Sequence, residues 1–435
     1  MVARRVILSS SPDPPASGAR EPRKAAIAFI FITIVLDVLA MGIVIPVLPK
    51  LVESFLHHDT GKAAIMYGLF GTTWAVMQFF AGPILGSISD RYGRRRVILM
   101  SCLGLGLDYC FMGWAPSLGW LFVGRVISGI TAAGLPTAMA YISDVSTPEK
   151  RAANFGIVGA AFGLGFILGP AFGGLLGSIS PRLPFWIAGA LTLVNVAYGA
   201  FVLPESLPAD QRRAFDWGRA NPLGSLRLLR SRKGLLGLAT VYFLYMLSHQ
   251  VLQNVAVLYT GFRYGWDARA VGLSMAVVGV FSVIVQGGLV RLAVERFGER
   301  RVLLFGVAGG VCGYTAYAFA STGALYLLFI PIFAMMFFTG PPLQGLMSRR
   351  VAHNEFGLLQ GTNSSIMGLA GIIGPSIFTR TFAMFIRPHR GFMLPGAPYL
   401  VAAACMVTAW VIAERASRGA ARGADGAPAA VPAGH

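Results

Sequence analysis

The stretch Gly86–Arg96, GSISDRYGRRR, lies between two long apolar blocks and has a counterpart further along the chain. Its central tetrapeptide, Asp90-Arg91-Tyr92-Gly93, corresponds to Glu295-Arg296-Phe297-Gly298 at an offset of 205 residues. The same offset relates two further pairs of landmarks: Pro136 and Pro341, and Gly169-Pro170 and Gly374-Pro375. Because three separated landmarks share one register, the sequence indicates an internal duplication.

Apolar residues dominate the composition. Of 435 residues, 55% are hydrophobic and only 12% are charged, against about 25% charged in an ordinary soluble domain. The apolar residues gather into blocks of about twenty, the length that a helix needs to cross a hydrocarbon core of about 30 Å. The sequence therefore predicts an all-α membrane protein with twelve transmembrane helices.

The predicted spans form two sets of six, separated by a basic polar stretch. The first set lies near Ala25–Leu48, Ala63–Ile88, Val97–Ala115, Trp120–Ile142, Ala153–Ile179 and Pro184–Leu203. The second lies near Leu235–Tyr259, Val271–Leu292, Val302–Ala320, Leu325–Leu346, Phe356–Phe378 and Gly396–Ala413. Because six is even, both halves enter the membrane in the same orientation, as in transporters built of parallel repeats around a central cavity.

These spans define the expected domains. We expect six-helix bundles over residues 25–204 and 235–414, joined by a cytosolic loop over 205–234. Residues 1–24 and 415–435 lack the apolar content to fold alone, so they are predicted to be disordered cytosolic tails.

The net charge of +18 comes mainly from basic residues in short loops between apolar blocks. Placing both termini in the cytosol puts most of the 36 Lys and Arg residues on one side, as the positive-inside rule requires. We therefore interpret the chain as a multi-pass protein of the inner cell membrane, surrounded by lipid. Membrane topology explains the charge better than a nucleic-acid partner does.

Three charged residues fall inside the predicted spans of the first half. Asp37 lies about 18 Å along a helix that starts at Ala25, close to the bilayer centre. An Asp there costs roughly 2.5–3.5 kcal/mol, so Asp37 should face water or a partner and is a candidate proton site. Asp108, near the middle of the third span, supports the same argument. Arg125 in the fourth span either snorkels outward or serves as the buried cation for a carboxylate such as Asp37.

Two glycine-containing motifs are candidates for conformational roles. In the loop motif, Gly93 permits a tight turn and Asp90 can accept hydrogen bonds from a helix N-terminus or an arginine; its simplest interpretation is a structural anchor. In the fifth span, small residues three and four apart allow close helix packing, and Pro170 weakens the helix. That motif is interpreted either as ordinary packing or as a bending point for alternating access.

Polar residues within spans are candidates for a substrate cavity, because a lipid-facing amide would lack a hydrogen-bond partner. They are Gln78, His249, Gln250, Asn254 and Gln286. His249 is interpreted as a packing residue, and no metal site is predicted. The four cysteines, Cys102, Cys110, Cys312 and Cys405, lie in apolar blocks without metal-ligand spacing and are interpreted as packing residues as well.

In these motifs the sequence resembles the major facilitator superfamily, specifically its drug:proton antiporters, and most closely the tetracycline-efflux branch. The family's loop motif is similar to Gly86, Asp90, Arg91, Gly93, Arg94 and Arg95, and its fourth-span motif to Arg125 and Gly129. Its antiporter motif is similar to Gly165, Gly169, Pro170, Gly173 and Gly174. Branch-level similarity adds Leu36-Asp37, Met77-Gln78, Asp108-Tyr109, Ser180-Pro181, Pro204-Glu205-Ser206, Gln250 and Gln286.

The sequence also departs from that branch. The branch carries an acidic residue in the ninth span where this chain has Gly309, and a histidine in the eighth span where it has Ser282. The resemblance ties both positions to substrate-metal and proton handling.

Together these features predict a proton-coupled antiporter that exports a small amphipathic organic compound by alternating access. Asp37 and Asp108 are its protonation candidates, and Arg125 tunes them. We expect it to work as a monomer without a cofactor, because no nucleotide-binding loop or catalytic triad is evident. The alternatives are proton-coupled uptake of a sugar or other nutrient, and a membrane sensor or scaffold that does not transport.

Overall fold

The computed structural model describes residues 21–132, 134–146, 148–215, 221–231, 234–352, 355–387 and 393–424. The predicted tails therefore lie outside the described residues over 1–20 and 425–435. Within the described part, the last helix continues to Ala424, beyond residue 415 where the tail was predicted to begin. The segment is rich in Ala and Arg, which favour helix even where apolar content is low.

Among the described residues, twelve helical spans are long and apolar enough to cross a membrane, which confirms the predicted fold class. Numbered in order, spans 1–6 cover Ile27–Phe55, Thr60–Tyr92, Arg94–Trp114, Leu118–Val145, Val158–Ile179 and Leu183–Val202. Spans 7–12 cover Leu235–Tyr264, Ala268–Phe297, Glu299–Phe319, Gly323–Ser348, Phe356–Phe385 and Ala397–Ser417. The first, fifth and last belong to longer helices that begin at Glu21, begin at Pro148 and end at Ala424, respectively. In the loop before span 7, three short helices cover Ala209–Gln211, Gly224–Arg227 and Leu228–Ser231.

Four spans are interrupted. Span 1 divides into Glu21–Val44 and Leu48–Phe55, and span 4 into Leu118–Thr131 and Gly134–Val145. Span 8 contains a π-helical segment, Val285–Leu289, and span 10 contains a 3₁₀ segment, Met335–Phe338. The segments of spans 8 and 10 pack against each other.

The internal repeat is visible at the turns after spans 2 and 8. Gly93 and Gly298 each separate two helices, with φ of +101° and +79°. Glycine adopts this backbone conformation at little cost, whereas a residue with a Cβ atom is strained there. The repeated glycine in the two tetrapeptides is thus explained by the same sharp turn in each half.

The packing of the spans forms two bundles. In the first half, span 1 packs on spans 5 and 6, and span 3 on span 6. In the second half, span 7 packs on spans 11 and 12, and span 9 on span 12. The halves meet mainly where span 2 packs on span 11 and where span 5 packs on span 8. We call these two interhelical contacts the seams.

Within each seam, glycines allow the helices of the two halves to pack closely at the face of the membrane region opposite the chain termini. A Cβ atom on Gly68 would lie 2.0 Å from Thr379 Oγ1 and 3.1 Å from the carbonyl oxygen of Pro375. In the other seam, a Cβ atom on Gly174 would lie 2.4 Å from the carbonyl oxygen of Ala268, and one on Gly272 only 2.2 Å from that of Pro170. The halves are therefore in backbone contact at this face.

Toward the face where the chain termini lie, the halves separate. No described atom lies within 4 Å of a Cβ atom built on six glycines of spans 2, 5 and 8: Gly82, Gly86, Gly156, Gly159, Gly287 and Gly288. These glycines face open space at the termini face. We call the gap between the halves, which the seams close at the opposite face, the crevice.

Gly68→Ala should destabilise the closed seam, because neither Thr379 nor the backbone of span 11 has room for a methyl group. Overpacking of this kind costs about 1–3 kcal/mol. Thermal unfolding of the detergent-purified protein measures the loss, with Gly82→Ala as the matched control on the same helix. The control should be neutral or stabilising, since Ala favours helix over Gly. Equal stability of the two variants would contradict the seam.

Candidate functional site

Asp37 is held inside the first bundle by groups from three other spans. Its Oδ1 accepts a hydrogen bond from Asn195 Nδ2 of span 6 at 3.0 Å. The Cys102 thiol of span 3 lies 3.5 and 3.4 Å from its two oxygens. The second helix of span 4 begins at Gly134, where a Cβ atom would lie 3.2 Å from Asp37 Oδ2. Donors thus surround this carboxyl group, and the positive end of a helix dipole favours its anion.

Asp108 has the opposite environment. Its side chain is 1% exposed, and neither carboxyl oxygen accepts a hydrogen bond from the described residues. The nearby Ser128 hydroxyl donates instead to the backbone oxygen of Arg125 at 3.3 Å. A buried carboxyl group without donors costs least when it is neutral. The two aspartates therefore differ in the hydrogen-bond donors that the described residues offer them.

Arg125 lies where the first bundle meets the second. Its guanidinium carbon is 5.5 Å from the centre of the Trp74 ring, and its Nε is buried without an acceptor among the described residues. It is close enough to interact electrostatically with Asp108 and Tyr67, and the Tyr67 hydroxyl lies 3.5 Å from the backbone oxygen of Gln253 in span 7. The sequence left open an ion pair between Arg125 and Asp37. The partners of Asp37 in the structure are instead Asn195 and Cys102, because its carboxyl group points into the first bundle.

Tyr109 connects the two aspartates electrostatically. It interacts with Asp37, Asp108 and Arg125 and is 4% exposed. Tyr109 thus lies within electrostatic range of both aspartates and of Arg125. Asn195 was not predicted from the sequence, although a lone amide in an apolar span is a usable signal for it.

Two of the polar candidates in span 7 lie in the seam rather than on an open wall. Asn254 Nδ2 donates to the backbone oxygen of Gln250 at 2.9 Å and to its Oε1 at 3.1 Å. A Cβ atom on Gly71 of span 2 would lie 2.8 Å from Asn254 Oδ1, and one on Gly374 of span 11 would lie 2.5 Å from Gln250 Cβ. Opening of the seam between spans 2 and 11 would therefore change the contacts of these amides.

The remaining polar candidates are dispersed. His249 packs edge-on against Phe337 at 6.5 Å, as expected for a packing histidine. Gln78 Nε2 donates to the backbone oxygen of Ala132 at 3.4 Å, where span 4 is interrupted. Gln286 Nε2 donates to Ser282 Oγ at 2.7 Å in the π-helical segment, where its side chain is exposed. The five candidates do not form one cluster.

The loop motif forms a network of ion pairs at the termini face. Arg94 pairs with Asp90 and, at 3.0 Å, with Asp144 of span 4. Arg95 donates to the backbone oxygen of Ala200, and the exposed Arg91 stacks on Tyr92. By contrast, a Cβ atom on Gly86 would meet no described atom within 4 Å. Most of this motif therefore fixes the end of the first bundle, which agrees with the structural interpretation.

Glu205 ties the loop after span 6 to this network. Its Oε1 accepts hydrogen bonds from the backbone N–H groups of Arg94, Ser206 and Leu207 at 2.8, 3.1 and 3.2 Å. The first of these donors belongs to the N-terminal turn of span 3, where a negative charge is favourable.

The second half repeats one of these ion pairs with its charges exchanged. At the offset of 205, Arg94 and Asp144 correspond to Glu299 and Arg349. Arg349 pairs with Glu299 at 2.9 Å. The position of the contact is thus retained although each partner has changed sign, which indicates that an ion pair at this point of the bundle is structurally required.

The fifth-span motif packs on two neighbours at once. Cβ atoms on Gly165, Gly169 and Gly173 would lie 2.6 Å from Val38 Cγ1, 2.6 Å from Gly42 Cα and 2.1 Å from the Ile43 carbonyl oxygen, all in span 1. Gly174 and Pro170 contact span 8 in the seam described above. The motif therefore links the helix that carries Asp37 to the second bundle.

Among the described residues, no group of His, Cys, Asp and Glu is arranged to hold a metal ion. The four cysteines are free, and Cys102 is distinguished from the others by its contact with Asp37. Its interpretation as a packing residue was therefore incomplete.

The sequence matches the model of the Major Facilitator Superfamily over residues 30–375. It is 37% identical over 382 residues to the tetracycline resistance protein, class C, of Escherichia coli, covering 86% of this chain and 95% of that protein. It is 36% identical over 361 residues to the class G protein of Vibrio anguillarum, covering 83% and 91%. A bacterial homologue of the human lysosomal transporter Spinster, solved in an inward-facing and occupied conformation, superposes with a TM-score of 0.74 at 16% identity, covering 92% of this chain and 98% of that structure.

Glu205→Ala should lower stability by about 0.5–2 kcal/mol, the range for loss of a helix-capping side chain. Asp210→Ala is the matched control, since Asp210 lies on the same loop and is exposed. Denaturant unfolding in detergent compares the two. A loss of similar size in both variants would show that Glu205 does not cap span 3.

Proposed function

The chain belongs to the Major Facilitator Superfamily, and we propose that it exports an amphipathic organic compound, such as a drug or antibiotic, in exchange for protons. The observation that carries this proposal is the pair of carboxyl groups, Asp37 and Asp108, inside spans 1 and 3. Placing two carboxyl groups inside membrane spans costs free energy, and a role in binding protons would explain why they are there.

The difference between the two carboxyl environments supports a proton path. Asp37 is surrounded by donors that favour its anion, whereas Asp108 has none among the described residues. A proton that enters from the crevice near Arg125 would reach Asp108 first and Asp37 second. Both sites are separate from the crevice wall, so compound and proton need not occupy the same space; they compete through the conformation of the bundle.

The open crevice supports alternating access. We propose that the termini face is the cytosolic face of the inner membrane, so the structure corresponds to an inward-facing state that admits compound from the cell. Opening the opposite face requires both seams to separate, including the contacts of Gly68 and Gly174. Because one chain forms the whole crevice, we propose that the monomer transports.

The proton gradient is energetically sufficient. One elementary charge crossing 100 mV provides about 2.3 kcal/mol, which sustains a concentration ratio of roughly fifty at the usual tenfold per 1.4 kcal/mol. Proton exchange alone can therefore drive useful export without covalent chemistry.

The resistance proteins that this chain resembles make tetracycline the first compound to test. Two features of the second bundle set this chain apart from that branch. Gly309 packs against span 10, where a Cβ atom would lie 2.4 Å from Met335 Cβ, and Ser282 holds the Gln286 amide. We therefore propose that compound is held mainly by shape and apolar contact in this half rather than through an acidic side chain.

Everted vesicles energised by respiration test the exchange directly. A panel of tetracycline and cationic dyes such as ethidium is added while the lumenal pH is followed, and a transported compound should make the lumen less acidic. Asp37→Asn and Asp108→Asn should each abolish this response, because the carboxyl group that carries the proton is gone.

Asp267→Asn is the control, because Asn also caps the start of span 8, where Asp267 accepts from the Ala270 amide at 2.8 Å. Protein amount and melting temperature establish that each variant is folded. If folded Asp37→Asn and Asp108→Asn both release protons like the wild type, neither residue couples transport to protons.

Gly309→Asp should not create a working acidic site. Its side chain would collide with Met335, so we expect a stability loss of about 1–3 kcal/mol and no gain in tetracycline export. Thermal unfolding and resistance of cells expressing the variant check this. Increased resistance with unchanged stability would show that span 9 has room for a carboxylate.

A further inference from the structure

We propose that Asn195 is a positioning residue that sets the proton affinity of Asp37. The inference rests on the proposed function, in which Asp37 exchanges protons. Asn195 lies in span 6 and is 1% exposed. Its side chain forms hydrogen bonds to two groups of span 1, the Thr33 carbonyl oxygen and the Asp37 carboxyl group.

The geometry uses both hydrogens of one amide nitrogen. Asn195 Nδ2 donates to the Thr33 carbonyl oxygen at 3.0 Å and to Asp37 Oδ1 at 3.0 Å. The bond to Thr33 fixes the amide in the orientation that points its donor at the carboxyl group. Since a donor interacts more strongly with a carboxylate than with a carboxylic acid, this arrangement favours release of the proton.

The amide oxygen supplies a second observation. Asn195 Oδ1 is buried and accepts no hydrogen bond from the described residues. A protonated Asp37 would carry an O–H donor. Rotation of the terminal amide, which is a low-barrier motion for Asn, would bring Oδ1 to that proton at the expense of the bond to Thr33. Asn195 can therefore bond to both states of Asp37, but it is held in the orientation that suits the anion.

Other groups around Asp37 do not replace this donor. Span 3 contributes the weakly donating Cys102 thiol, with Tyr109 and Asp108 further along the same helix, and span 4 contributes Arg125 beside Asp108. Between Asn154 and Val202, Arg182 is the one charged residue, and it lies in the loop that joins spans 5 and 6. Its guanidinium donates to the backbone oxygens of Gly113 and Trp114 at the opposite face. Asn195 is thus the strongest hydrogen-bond donor in contact with Asp37.

Asn195→Leu removes the donor and retains the volume. Infrared difference spectra of the full-length protein in lipid, recorded across a pH titration without any compound, follow the carboxyl band that disappears in Asp37→Asn. We expect the midpoint of that titration to move upward by about one pH unit or more, because loss of a charge-assisted hydrogen bond leaves the anion less favoured. Cys102→Ala should move it in the same direction by less.

Thr192→Val is the matched control. Thr192 is fully buried on the same helix, one turn before Asn195, and its hydroxyl donates to the Ala188 carbonyl oxygen rather than to Asp37. It should leave the midpoint unchanged even if it lowers the melting temperature. An unchanged midpoint in folded Asn195→Leu would overturn the positioning role. That outcome is distinct from failure of the proposed function, in which Asp37→Asn retains compound-driven proton release.

If Asn195→Leu does not fold, Asn195→Asp keeps a polar side chain and places a second carboxyl group beside the first. Like charges this close cannot both ionise, so one proton should be retained to a much higher pH than in the wild type. A titration identical to that of the wild type would likewise overturn the proposal.

Discussion

The absence of water at the bilayer centre is the constraint on which this structure depends. Every polar group placed there needs a partner within the protein, since an unsatisfied one costs several kcal/mol. Asp37 meets this requirement through Asn195, Cys102 and the start of the second helix of span 4. Neither carboxyl oxygen of Asp108 has such a partner among the described residues.

The second bundle is organised differently. Its outer part is a buried aromatic core in which Tyr259, Tyr317, Tyr326 and Tyr399 contact one another, with ring centres as close as 4.2 Å. Its irregular segments in spans 8 and 10 pack against each other. The two halves share a fold but differ in composition, with the carboxyl groups of Asp37 and Asp108 in the first half. The ion pairs Arg94–Asp144 and Glu299–Arg349 show how far the halves have diverged while keeping their geometry.

Much of the fold could be predicted from the sequence, because hydrocarbon thickness fixes the length of each apolar block and the offset of 205 residues fixes the pairing of the halves. Asp37, Asp108 and Arg125 could also be identified as unusual, since charge in a span is costly. Their grouping could not be predicted. Asn195 and Tyr109 come from different helices, and whether they face Asp37 depends on how each helix is rotated about its axis. The same rotation placed Gln250 and Asn254 in a seam, and hydropathy carries no information about it.

We propose that binding of the compound and binding of protons at Asp37 and Asp108 exclude each other. The most direct measurement adds a transported compound to purified protein in weakly buffered detergent and records proton release with a pH electrode. We expect the wild type to release protons and the double variant Asp37→Asn/Asp108→Asn to release none, although the double variant still binds the compound. Equal release from both proteins would contradict it.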